Sequence, residues 1–217
     1  MNEILEKLFS DHEDLRLCEK EIKQAYQLLV DCYRQNGKVL ICGNGGSASD
    51  SEHMVGELMK DFMIRRSLAP EMKKRLADQF GDDGVYLAER LQGALPAISL
   101  VNQTALQTAI ANDIAADLVF AQQVWGYGQP QDVLIGISTS GRSKNVIHAM
   151  QVARAKGLKT IGLTGGSGGR MHECCDVVIC VPKHSVPEIQ EKHLPIYHAL
   201  CTMLEKEFFA RDSASRI

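Results

Sequence analysis

No two of the seven cysteines are spaced as C-x-x-C, no apolar run is long enough to span a bilayer, and basic residues nowhere form a block. Each absence removes a class of function. Cys18, Cys32, Cys42, Cys174, Cys175, Cys180 and Cys201 are odd in number and mostly sit inside apolar runs. They read as reduced thiols of a cytosolic protein, not as a disulfide framework or a thiolate metal site. The opening segment MNEILEKLFSDHEDL carries acids early and resembles neither an export signal nor a membrane anchor, so the expected location is cytoplasmic, with no membrane partner. A net charge of -3 with scattered Lys and Arg argues against nucleic acid as a partner. An anionic small molecule stays open, held by local donors and not by the overall field.

What is present suits one generous α/β domain spanning 1–217. The chain is 45% hydrophobic and 24% charged, which excludes disorder, and it shows no internal repeat or low-complexity tract. From about 3 to 34, Ile4, Leu5, Leu8, Leu15, Ile22, Tyr26, Leu29, Val30 and Tyr33 recur at helical spacing, predicting one long amphipathic helix or two, ended by Asn36-Gly37. KVLIC (38–42), PAISL (96–100), DVLIGI (132–137), KTIGLT (159–164) and DVVICV (176–181) read as buried strands alternating with helices, hence as a parallel sheet. Residues 65–93 are charged, with Pro70 and a GDDG turn at 81–84, and read as an inserted surface segment of short helices. A long helix over about 187–210 closes the pattern, and Pro195 inside it predicts a kink.

Two loops follow strands and open helices. STSGRS (138–143) offers Ser138, Thr139, Ser140 and Ser143 at a helix N-terminus, with Gly141 allowing close backbone approach. Orphan N–H groups and the helix dipole favour an anion there, and four hydroxyls exceed what an N-cap turn requires. GNGGSAS (43–49) matches G-x-G-x-x-A, but PAISLVNQT lacks the acid that a dinucleotide ribose needs, and no Gly-Lys pair makes a Walker loop. A tight turn is the plain alternative.

His53 and Glu57 lie four apart on one helix face, either a solvated pair or two groups sharing a ligand. Gln190 and His198, eight apart, stand roughly 80° from each other around their helix axis. His193 fits an interior or an interface histidine.

Taken in order, CGNGGS (42–47), DxxHxxxEL (50–58), Asn112-Asp113, ISTSGRS (137–143), GLTG (162–165) and IQExHxxxxH (189–198) resemble the phosphoheptose isomerases of the sugar isomerase (SIS) family. The resemblance implies a five-stranded parallel sheet of flavodoxin-like order, with helices on both faces and long terminal helices. It implies a homotetramer with active sites between subunits. The expected reaction interconverts sedoheptulose 7-phosphate and an aldoheptose 7-phosphate through an enediol(ate), with Glu57 and His198 as the acid/base pair. Asn44, Gly45, Gly46, Ser47, Asn112, Asp113, Ser138, Thr139, Ser140, Ser143 and Gln190 match the substrate contacts. His53, Glu57, Gln190 and His198 match ligands of a divalent metal, usually zinc, although the same set also serves as a plain hydrogen-bond array. Arg142 stands where the family often has Asn, and the 65–93 segment lengthens a connection that is shorter in compact members. Two other readings stay in play: a non-catalytic phosphosugar-binding regulator of the replication-initiator-associating kind, and an isomerase for a different phosphosugar.

Overall fold

Every strand expected from an apolar run forms, because each is buried on at least one face and can only satisfy its backbone inside a ladder. In the computed structural model, which describes residues 1–213, the strands are β1 (Val39–Gly43), β2 (Ala97–Ser99), β3 (Val133–Ile137), β4 (Lys159–Gly165) and β5 (Val177–Val181). They form one parallel sheet in the order β2-β1-β3-β4-β5. Asp132 fixes where β1 and β3 begin. Its carboxylate accepts from the Lys38 N–H at 2.9 Å and from the Lys38 ammonium at 2.6 Å, and it is 1% exposed.

Helices cover both faces. One core packs α1 (Asn2–Asp11), α2 (Glu19–Arg34), α3 (Gly46–Met59) and α9 (Val186–Ser213) against Val39, Ile41, Val133, Ile135 and Ile137. The opposite core sets α6 (Val119–Tyr127), α7 (Lys144–Ala155) and the short α8 (Met171–Cys174) against Leu40, Cys42 and Leu134. Strand residues thus alternate between the two cores, as the pleat requires. α5 (Thr104–Ile110) follows β2 and runs into a π-helical turn over Ala111–Ala115. All seven cysteines are free thiols. Among the described residues no helix is long and apolar enough to cross a membrane.

Three local expectations are refined. The first helical stretch divides at His12, where φ of -141° interrupts it, and a 3-10 turn over Glu13–Cys18 leads into α2. The closing helix runs through Pro195. In the charged segment the expected short helices form within α4 (Pro70–Arg90), as two helical stretches that meet at a kink at Gly81 (φ 56°, ψ -129°), not over the whole GDDG run. Gly84 lies so close to the Leu76 carbonyl that a Cβ there would sit 1.9 Å from its oxygen. Most of α4 is exposed, but Arg66, at the start of the same charged stretch, is not at the surface: it is 1% exposed. A guanidinium tolerates that position only because each of its arms is paired. Arg66 Nε donates to Glu205 of α9 at 2.7 Å, and its two terminal nitrogens donate to the Leu58 and Glu57 carbonyls at 2.7 and 2.8 Å.

Candidate active site

In a doubly wound sheet, ligands bind outside the C-terminal ends of the strands where the order reverses. Here that point lies between β1 and β3. The two loops of interest leave those strands side by side, and Asn44 and Asn145 clasp each other across the gap through reciprocal amide hydrogen bonds of 2.9 Å. Asn145 was not singled out from the sequence, because nothing in SKNV distinguishes it from an ordinary helix-start residue.

The backbone of both loops needs glycine at specific places. Gly45 takes φ 56° at the N-cap of α3 and leaves the first N–H groups of that helix without a side-chain cap. Gly141 takes φ 62°, and a Cβ on it would lie 2.1 Å from the Gly168 carbonyl oxygen. The close partner is the GGSGG loop after β4, where Gly165 N–H donates to the Thr139 carbonyl at 3.2 Å and Arg170 N–H to the Gly141 carbonyl at 2.9 Å.

Ser143 occupies the N-cap position of α7 but makes no side-chain cap bond. Its hydroxyl instead meets the Ser138 hydroxyl at 3.0 Å. No serine side chain caps this helix, and of its leading N–H groups Val146 N–H donates to Asn145 Oδ1 at 3.0 Å; the absent serine cap favours the anion site over the plain N-cap turn. Ser140 Oγ accepts from the Arg142 N–H at 3.2 Å, while the Arg142 side chain is exposed. Ser47 is buried at the start of α3, and Gly46 lies against Gln190 of α9, so close that a Cβ on Gly46 would come within 2.4 Å of Gln190 Nε2. Asn112 and Asp113 sit on the exposed π-helical turn; they hydrogen-bond each other at 2.8 Å, and no hydrogen bond joins them to either loop.

Beside these loops, α3 and α9 bring the titratable residues together. His53 Nε2 is 3.1 Å from Glu57 Oε1, and His53 Nδ1 is 2.9 Å from the Tyr197 hydroxyl. The rings of His53 and His198 stand edge-to-face with centroids 5.0 Å apart, and Phe62 packs on His198 at 5.3 Å. His53 is partly exposed, whereas the Glu57 side chain is only 12% exposed, so the pair is more than a solvated surface contact. Three buried polar atoms of this cluster have no partner: Glu57 Oε2, His198 Nε2 and Asp50 Oδ2. Burial, with the neighbouring His53 adding to it, holds the His198 imidazole below its ordinary pKa; the Glu57 charge pulls the other way. Tyr197 and Asp50 belong to the same cluster, with the Tyr197 hydroxyl 3.4 Å from Asp50 Oδ1. Burial raises the pKa of both. Asp50 opens the DxxHxxxEL motif without a role of its own assigned to it, and Tyr197 was not legible, because it sits where the helical pattern asks only for an apolar residue.

Among the described residues no three His, Cys, Asp or Glu side chains converge on a point that a cation would take. Both ring nitrogens of His53 also already carry hydrogen bonds. Of His53, Glu57, Gln190 and His198, only His53 and Glu57 are hydrogen-bonded to each other, while His198 Nε2 and Glu57 Oε2 are buried without partners.

His193 is interior, 0% exposed, with Nε2 at 3.3 Å from the Thr164 carbonyl and Nδ1 buried without a partner. Nε2 therefore carries the proton of a neutral ring. Burial pushes its pKa down to about 4, against roughly 6.5 in an unfolded chain. A depressed histidine pKa means that the unfolded state binds more protons between those two values, so stability is full above about pH 6.5 and falls as pH drops towards 4. The expected loss approaches about 3 kcal/mol below that window. Urea unfolding of the protein and of His193→Gln at pH 7.5, 6 and 5 checks this. The variant should lose that part of the acid slope, and parallel slopes would show that His193 does not carry it.

The SIS domain family model matches residues 5–79 and 76–165. The phosphoheptose isomerase of Syntrophotalea carbinolica is 41% identical over 189 residues, covering 87% of this chain and 83% of that protein. That of Helicobacter pylori is 38% identical over 213 residues, covering 96% and 97%. Among solved structures, the phosphoheptose isomerase from Neisseria gonorrhoeae superimposes with a TM-score of 0.69 at 33% identity, covering 93% of this chain and 95% of that one. The Francisella tularensis phosphoheptose isomerase gives 0.71 at 31% identity, covering 93% and 98%. A parallel sheet of matching architecture, near-complete coverage and this level of identity lead to one assignment: the chain belongs to the SIS domain family, among the phosphoheptose isomerases.

Proposed function

We propose that the chain interconverts sedoheptulose 7-phosphate and D-glycero-D-manno-heptose 7-phosphate, and that Glu57 and His198 move the protons. The observation that carries this reading is that a carboxylate oxygen and an imidazole nitrogen are buried without partners in one cluster, beside two loops suited to a phosphate ester. Leaving such atoms unpaired costs stability, and a site that acts on substrate is where that cost has a use.

In the proposed reaction the phosphate rests at the start of α7, held by the leading N–H groups and the hydroxyls of Ser138, Thr139, Ser140 and Ser143. Asn44, Gly45, Gly46, Ser47 and Gln190 line the sugar, and Asn112 and Asp113 are assigned to it by resemblance alone. Glu57 takes the proton from C1 of the ketose, forming the enediol(ate), and returns it to C2. His198, neutral because burial keeps it so, passes a proton from O1 to O2. The new aldehyde is at C1 and the new hydroxyl at C2, so the proton count closes. No step is routed through a metal. Zinc binding is itself a proposal, tested by metal retention after desalting. One zinc retained per chain would mean that the His53–Glu57 hydrogen bond opens to admit it. A homotetramer in the cytoplasm, with sites between subunits, completes the reading.

The test is to incubate purified protein with sedoheptulose 7-phosphate, and in parallel with pentulose and hexulose phosphates, and to follow aldose formation. Turnover of the heptulose in preference to the others is the expected result. Preference for a shorter sugar would reassign the substrate. Tight binding without turnover of any of them would favour the regulator reading.

A further inference from the structure

The 65–93 segment gathers charges that the isomerase reading leaves unused. Ser67 pairs with Gln92 in an antiparallel bridge, and Gly93 N–H donates to the Arg66 carbonyl at 2.8 Å, so the two ends of the segment are tied side by side. Between them the chain turns at Gly81, and Gly84 returns against Leu76 and Ala77. This brings Arg65 and Ser67, which precede α4, beside Lys73 near its start and Arg90 in its last turn. With Glu89 they line one open cleft of about 410 Å³, a size that suits a small-molecule ligand.

Three cations face one carboxylate there, an excess of two positive charges on a chain whose net charge is -3. Acids outnumber bases in the sequence, 27 to 24. Yet among the described residues none of Arg65, Lys73 and Arg90 has a carboxylate within 4.0 Å. Their sequence neighbours do: Arg66 pairs with Glu205, and Lys74 with Asp78. Lys73 also lies near the positive end of the α4 dipole, which repels a cation, and the N-cap residue Ala69 has no side-chain acceptor to offset it. Arg90 sits over the Tyr86 ring, 5.7 Å from its centroid, a contact that orients the guanidinium without neutralising it. Like charges held around one cleft repel each other, and an anion in the cleft reverses the sign of that energy.

We propose that this cleft is a second anion site, taking a phosphate dianion, free or as a monoester, on Arg65, Lys73 and Arg90, with the Ser67 hydroxyl as a further donor. Two excess positive charges match a dianion, and two guanidinium forks with an ammonium suit the three terminal oxygens of a phosphate better than the two of a carboxylate. The cleft is open, so the organic part of an ester can project from it. Its residues are separate from those of the loops after β1 and β3 and from the α3–α9 cluster, and the proposal does not depend on isomerase activity. Glu89 opposes the ligand, so removing its charge strengthens binding.

The experiment is equilibrium dialysis of the full chain against radiolabelled inorganic phosphate at about pH 8, where phosphate is a dianion, with ionic strength held constant by sodium chloride. The parent should bind one phosphate per chain that the double variant Arg65→Gln/Arg90→Gln binds roughly tenfold or more weakly. Glu89→Gln should bind it about two- to fivefold more tightly than the parent. A parallel series with glucose 6-phosphate names the source: tighter binding of the ester assigns the cleft to phosphate monoesters, and tighter binding of inorganic phosphate assigns it to the free ion. Equal binding by the parent and the double variant would overturn the proposal, as would weaker binding by Glu89→Gln. The loops after β1 and β3 are the same in all three proteins, so any phosphate they hold cancels in the comparison, and a failure of the isomerase reading would leave the difference standing.

Discussion

Glu205→Gln should lower the free energy of unfolding by about 3–5 kcal/mol, the largest stability loss expected from any isosteric change in this chain. Arg66 and Glu205 form an ion pair whose side chains are both 0% exposed, so losing one charge leaves the other buried and unpaired. Glu205 also accepts from three consecutive backbone N–H groups: Phe62 at 2.8 Å through Oε1, Met63 at 2.8 Å and Ile64 at 3.2 Å through Oε2. An amide offers one acceptor oxygen where the carboxylate offers two, and its NH2 group would face donors. Urea unfolding measures the change. As a control, Asp78→Asn removes the exposed ion pair with Lys74 and should cost under about 1 kcal/mol. Should Glu205→Gln cost as little as that control, the pair would not be the anchor described here.

Replacing both partners, as Arg66→Met with Glu205→Leu, often recovers the stability of a buried ion pair elsewhere. It should not do so here. The Phe62, Met63 and Ile64 N–H groups and the Glu57 carbonyl would lose these partners, each worth about 1–3 kcal/mol if it stays dry, whereas the Leu58 carbonyl would keep the Leu95 N–H at 3.0 Å. Because Arg66 ties the Glu57 carbonyl, the anchor also sets the C-terminal turn of α3 against α9. Activity should therefore fall with stability in these variants, by way of the Glu57 backbone.

These contacts mark the limit of what a sequence shows. The strands were legible because an apolar run of five or so residues between turn signals has few alternatives to a buried ladder, and alternation with helices makes that ladder parallel. The anion loops were legible because glycine and hydroxyls at a helix start have a local physical meaning. Arg66 and Glu205 were not: they are 139 positions apart, and periodicity reports which face of a helix is apolar without saying which distant charge will be brought against it. The same reason hid Tyr197 and the contact that Asp50 makes with it, and it left the His53–Glu57 pair open between solvent and site. His53, Glu57 and His198 were picked out, but their association depended on the resemblance and not on spacing.

Glu57→Gln should reduce kcat by about 10²–10⁴-fold, or roughly 3–5 kcal/mol of barrier, while KM changes by a few-fold at most. The amide keeps the volume and can either accept from His53 Nε2 or donate to it, so the cluster's packing survives. What it cannot do is take a proton from carbon with the atom that replaces Oε2. His198→Gln should reduce kcat by less, because water can stand in for an imidazole that passes a proton between two oxygens but not for a base at carbon. Stability separates this account from a structural one. Glu57 Oε2 is a buried acceptor with no partner, so exchanging it for an amide should leave stability within about 1 kcal/mol of the parent or raise it slightly. A variant that is slow and as stable as the parent fits a group kept for chemistry. A slow variant that unfolds several kcal/mol more easily would place Glu57 with Glu205, among the residues that hold the helices together. Wild-type turnover by Glu57→Gln would remove it from the reaction altogether.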